Sequence, residues 1–173
     1  QFYWPPNGHQ WSFLEPTLTQ LELHAAYETG TVSSSGTTLT LSGGTWPAWA
    51  ASGEAWVDGQ WITVASRSSN SVLVLDSAPS SALSGASYSL HHRDYDLPDD
   101  FGGLLGNFTF REDQARWYDL TRINEAMLRS METYPRLTGT PQYYCLTSVA
   151  PTSSQESKQR VNFYPDPDAT YTL

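Results

Sequence analysis

Apolar and polar residues alternate in short runs along much of this chain, and turn-forming residues interrupt the alternation at close intervals. Thr17-Leu18-Thr19-Gln20-Leu21-Glu22-Leu23 ends in such an alternation and reads as a first strand. Gly30-Thr31-Val32-Ser33 and Thr38-Leu39-Thr40-Leu41 follow, joined by a Ser-Ser-Gly turn. Ala55-Trp56-Val57 and Gln60-Trp61-Ile62-Thr63-Val64 flank Asp58-Gly59, a two-residue hairpin signal because both turn positions favour positive φ. Ser71-Val72-Leu73-Val74-Leu75 and Ala86-Ser87-Tyr88-Ser89-Leu90 complete a set of strands that predicts a small antiparallel barrel or sandwich of about sixty residues.

Beyond Leu90 the pattern changes. Pro98 and the pair Gly102-Gly103 mark a loop, and Asn107-Phe108-Thr109-Phe110 reads as a strand. The periodicity then predicts one helix over 113–133, with Trp117, Leu120, Ile123, Met127 and Met131 on one face and Tyr134-Pro135 as its stop. Gln142-Tyr143-Tyr144-Cys145-Leu146 reads as a strand after Gly139-Thr140-Pro141. The last residues predict a hairpin: Val161 and Phe163 alternate with polar neighbours, Pro165 and Pro167 interrupt the pairing, and Thr170-Tyr171-Thr172-Leu173 begins another strand. Asp166 and Asp168 are then turn residues. The fold class is α+β and mostly β: a barrel or sandwich module, one amphipathic helix and a β-hairpin. Three segments follow: a Trp/Pro-rich entry with the first strand (1–29), the β module (30–92), and a loop, helix and C-terminal strands (93–173). Gln1 and the abrupt final strand give the expectation of a piece of a longer chain, with further helices outside it.

Composition narrows the function. Over 173 residues, 39% hydrophobic and 13% aromatic, the chain can bury a core, and the low charged fraction of 16% suits a turn-rich β protein. A net charge of −9 argues against a nucleic-acid clamp, which needs concentrated Lys and Arg. No apolar run approaches membrane-spanning length. Cys145 stands alone, so no internal disulfide forms, and its strand position suits a buried, inert thiol.

Candidate chemistry is sparse. His91 and His92 are adjacent on an extended segment and point to opposite faces, so they cannot share a metal, and a solvated strand end is the preferred reading. Asp94, Asp96, Asp99 and Asp100 form an acidic cluster of the kind glycosidases use, yet beside Pro98 they read as turn chemistry. No serine lies in a Gly-x-Ser-x-Gly context and no glycine-rich phosphate loop is present. The expectation is therefore no catalytic, cofactor or metal residue and no enzyme. Seven tryptophans remain; most suit core packing, while exposed ones could stack on sugars.

Several strings are distinctive in combination: Phe2-Tyr3-Trp4-Pro5-Pro6, Trp11-Ser12-Phe13-Leu14-Glu15-Pro16, Tyr95-Asp96-Leu97-Pro98-Asp99-Asp100-Phe101-Gly102-Gly103, Gly139-Thr140-Pro141, and Gln159-Arg160 leading into Tyr164-Pro165-Asp166-Pro167-Asp168. Together with the Thr/Ser/Gly-rich insert, their order resembles the head-to-tail connector (adaptor or neck) proteins of tailed bacteriophages. The resemblance implies a virion structural protein assembled in the host cytoplasm, closing into a ring of about twelve copies below the portal. Its partners would be other copies, the portal and the tail or neck proteins, with DNA passing through the lumen without specific binding and no membrane involved. Trp4, Trp11, Trp49, Phe101 and Tyr164 are the expected interface residues. The alternative is a carbohydrate- or receptor-binding tail or baseplate module built on the tryptophans.

Overall fold

The computed structural model describes residues 20–98, 101, 103–104, 106–110, 119–132, 136–149 and 158–173. They form a mostly β fold around two hydrophobic cores. After a two-residue strand β1 (Glu22–Leu23), six strands make the first unit: β2 (Thr31–Ser35), β3 (Thr38–Ser42), β4 (Glu54–Val57), β5 (Gln60–Arg67), β6 (Val72–Leu75) and β7 (Ser89–His91). Their spatial order is β2-β3-β6-β5-β4-β7, antiparallel throughout. Period-two burial explains why: Leu39 and Leu41, Ala55 and Val57, Ile62 and Val64, Leu73 and Leu75 all point inward. A register shift between Val64 and Ser66 bends β5, and the sheet curls into a half-barrel. Two isolated bridges lie beside its edge strands, Tyr27↔Leu90 on β7 and Val32↔Ala86 on β2.

Two turns depend on special backbone. Asp58 (φ 53°) and Gly59 (φ 72°) make the predicted two-residue hairpin between β4 and β5. Gly30 (φ 85°) packs so closely on β3 that a Cβ there would stand 2.2 Å from the Ser42 carbonyl oxygen.

The second unit is assembled from both sides of the half-barrel. It holds β8 (Tyr95–Asp96), β9 (Thr121–Arg122), helix α1 (Glu125–Met131), β10 (Thr138–Gly139), β11 (Tyr143–Val149), β12 (Lys158–Tyr164), β13 (Asp166–Pro167) and β14 (Tyr171–Thr172). β11 and β12 form a long hairpin flanked by β8 and β9. β14 pairs with β1, so Leu23 joins Tyr95, Leu120, Tyr144, Val161 and Phe163 in one core. The half-barrel is thus an insertion into a body whose outer strands, β1 and β14, meet.

Three expectations change here. Among the described residues the predicted 113–133 helix covers only Glu125–Met131, because the Asn124 side chain accepts from the Met127 N–H and caps it there. Residues 113–118 and 133 lie outside the described residues. Leu120 lies before the helix in the core, Leu128 is its buried residue, and Met127 is exposed; Trp117 lies outside the described residues. No strand spans 107–110: Thr109 bridges Asp119, while Phe108 and Phe110 pack on the second core. The closing segment is not a hairpin either. β13 lies parallel to β10, and β14 leaves to pair with β1, so Asp166 sits in a strand instead of a turn. The hairpin of this region is β11–β12.

Candidate functional site

The outward face of β4, β5 and β7 is laid out by register. Trp56 lies opposite both Trp61 and Ser89, and Glu54 lies opposite His91. Because side chains alternate, Ser89 and His91 share that outward face while Leu90 between them points into the barrel. The second unit covers this face and places Asp166 on His91. The Asp166 Oδ2 stands 2.9 Å from His91 Nδ1, and His91 Nε2 stands 2.9 Å from Ser89 Oγ. A carboxylate only accepts, so Nδ1–H donates to Asp166, and Nε2 on the far side of the ring shares a hydrogen bond with the Ser89 hydroxyl. A serine, a histidine and an aspartate are thereby joined in one relay.

The surroundings hold the relay rigid. The Trp61 ring meets His91 edge-on with centroids 4.9 Å apart, and the Arg136 guanidinium lies 3.9 Å above the Trp61 ring centre. Arg136 donates to Glu54 at 2.6 Å, and its other terminal nitrogen stands 3.9 Å from Asp166. Arg93 pairs with Glu132 and approaches Glu54 at 3.9 Å. Glu54, from the half-barrel, thus serves two arginines from the other side of the seam. The Asp166 and Arg136 side chains are only 14% and 13% exposed, so these pairs are screened less than surface ones.

A second cluster of rings ties the seam on the opposite face of the His91–His92 segment. Trp49 stacks on His24 and on His92 with centroids 5.5 and 5.3 Å apart, and His92 lies 4.1 Å from the Tyr95 ring. Burial lowers the His92 pKa to about 4, helped by neighbouring His24 and opposed by Asp94 and Asp96. Burial likewise lowers His24, against the pull of Glu22. Burial raises the Tyr95 hydroxyl, which accepts from the His24 N–H. The two histidines do face opposite ways, but neither is the solvated strand end expected: His91 is 9% exposed and His92 is half-buried.

The two described members of the acidic cluster, Asp94 and Asp96, are held in side-chain pairs. Arg160 pairs with both Asp94 and Asp96, and the Asn162 amide donates to Asp94. Asp99 and Asp100 lie outside the described residues, as do Trp4 and Trp11. Among the other expected interface residues, Trp49 is half-buried against the two histidines, Phe101 packs on the second core, and Tyr164 is half-buried opposite Tyr143. Trp46 is a core residue, and the Trp56 and Trp61 rings are tilted by 50°, so this pair offers no flat platform. Burial raises the Cys145 thiol, with Glu125 adding to the effect, in keeping with an inert cysteine. Among the described residues no group of three or more potential metal ligands occurs, and no helix is long and apolar enough to cross a membrane. No protein-family model, curated protein or solved structure matches the chain.

Sequence reasoning missed the relay because its parts lie in separate elements. Ser89-x-His91 in a strand was a faint signal, since period two puts both on one face. Asp166, 75 residues beyond His91, had none.

Proposed function

We propose that this chain is a structural protein of a tailed-phage virion, a head-to-tail adaptor that closes into a ring of about twelve copies below the portal. One observation carries the reading. Those strings behind the connector resemblance that fall among the described residues lie in one body: β12 holds Gln159-Arg160 beside β8 with Tyr95-Asp96, and β13 within Tyr164-Pro165-Asp166-Pro167-Asp168 pairs with β10 at Gly139. Residues 2–6 and 11–16 lie outside the described residues. The Thr/Ser/Gly-rich segment folds around a core of its own, inserted into that body. The resemblance implies a helical bundle carrying inserted β structure; the inserted module is the shared feature, while the described body is mostly β with the one helix Glu125–Met131.

In such a ring each copy presents two different surfaces to its neighbours, and a clamped seam keeps body and insert at a fixed angle so that the ring closes. The net charge of −9, repeated around a lumen, repels DNA and lets it slide. Negative-stain microscopy of the purified chain, alone and mixed with the portal protein of the same phage, tests the reading. Closed rings, free or seated on the portal, are expected. A chain that stays monomeric at every concentration and ignores the portal overturns it.

A further inference from the structure

The relay at the seam is more than the clamp needs. Asp166 would hold His91 equally well without a hydroxyl on the far side of the ring. Yet Ser89 Oγ stands at hydrogen-bond distance from Nε2, the one ring atom left to accept a proton. Ser89 is also the relay member that reaches a cavity: it lines a groove of about 490 Å³ together with Trp56, Tyr88 and Gly59. Nucleophile, base and orienting carboxylate therefore run in order from the groove into the buried seam.

We propose that Ser89 is an activated nucleophile for acyl transfer, with His91 as its general base and Asp166 as the positioning residue. In the first step Ser89 Oγ bonds to the acyl carbon of an ester while the hydroxyl proton passes to His91 Nε2. The bond to the alcohol oxygen then breaks, and that oxygen leaves with the proton from Nε2. Water attacks the acyl-serine, gives a proton to Nε2, and the carboxylic acid departs as the proton returns to Ser89 Oγ. Throughout, Asp166 keeps Nδ1 protonated and stabilises the imidazolium. Glu28 and Asp58 also line the groove, so it selects neutral or cationic esters over anionic ones. Trp56 supplies apolar surface for an aryl or alkyl group. The inference is independent of the adaptor reading and departs from the expectation that no side chain performs chemistry.

A fluorophosphonate with a neutral alkyl chain is the direct probe, because it phosphonylates serines only where a base activates them. Incubation with the full chain, followed by intact mass and peptide mapping, is expected to give one adduct, on Ser89. Ser89→Ala removes it, and Asp166→Asn slows its formation by about 100-fold. Asp166→Glu, which restores a carboxylate beside Nδ1, recovers part of the rate that the isosteric Asp166→Asn loses; a strut role alone would be served better by the isosteric Asn. The milder His91→Gln, at the same position as the base, abolishes labelling if it folds. Should either seam variant fail to fold, the wild-type chain with Ser89→Ala as control still decides. A folded wild-type chain that stays unlabelled at Ser89, under conditions that saturate a known serine hydrolase, overturns the proposal, as does labelling that Ser89→Ala leaves unchanged.

Discussion

His91 and Asp166, 75 residues apart in sequence, meet at 2.9 Å across the seam between the two cores. One belongs to the half-barrel and the other to the body that surrounds its insertion point. Each is largely buried, so the bond between them ties the two units where water screens little. Asp166→Ala leaves His91 and Arg136 without this partner and is expected to cost about 1–3 kcal/mol. Urea unfolding at neutral pH measures it; a midpoint unchanged from wild type would show that the contact contributes nothing.

Clamped units should also unfold together. Leu73→Ala hollows the half-barrel and Leu120→Ala hollows the body, each at a fully buried position, and each is expected to cost about 2–5 kcal/mol. The seam predicts that both variants lower one shared transition in calorimetry. Two separated transitions in either variant would mean that the units are independent.

The ring cluster makes stability depend on acid. His92 keeps a folded pKa of about 4, below its unfolded value near 6.5, so the unfolded chain takes up a proton first as pH falls. The stability this group contributes is present above about pH 6.5 and is lost progressively down to about pH 4. Its full loss is about 3 kcal/mol, and His24, also lowered, adds in the same direction. His92→Phe should flatten the fall in stability between pH 6.5 and 5, where most carboxylates stay ionised. An unchanged slope in that variant would contradict the assignment.

Gly30 tests the fold at a single position. Its φ of 85° suits glycine, and an added Cβ would collide with the Ser42 carbonyl oxygen. Gly30→Ala is expected to destabilise by about 2 kcal/mol or more, through the left-handed backbone and the clash together. At Gly59, where nothing lies within 4 Å of such a Cβ, alanine meets only the backbone term and should cost less. Thermal melts of the two variants settle the order, and equal losses would place the β2–β3 contact elsewhere.

What could be read from the sequence was what local chemistry dictates. Asp58-Gly59 announced its hairpin because φ is positive at both positions, and Leu39/Leu41, Ile62/Val64 and Leu73/Leu75 announced their strands through period-two burial. The helix was overextended because Leu120 and Ile123 fit a helical stripe while serving other elements; the Asn124 cap sets the true start. The tail was misassigned for a related reason. Proline interrupts a ladder, but nothing local says that β13 will find β10 or that β14 will return to β1. Asp166 could be recognised only after that long-range pairing had placed it on His91.

The proposed adaptor role is tested most directly by cryo-electron microscopy of tailed-phage particles assembled with this chain expressed. It predicts closed-ring density of about twelve copies directly beneath the portal, with the half-barrel docked on each body along the His91–Asp166 seam. Density for the chain at a fibre tip or baseplate, with none at the neck, would contradict it.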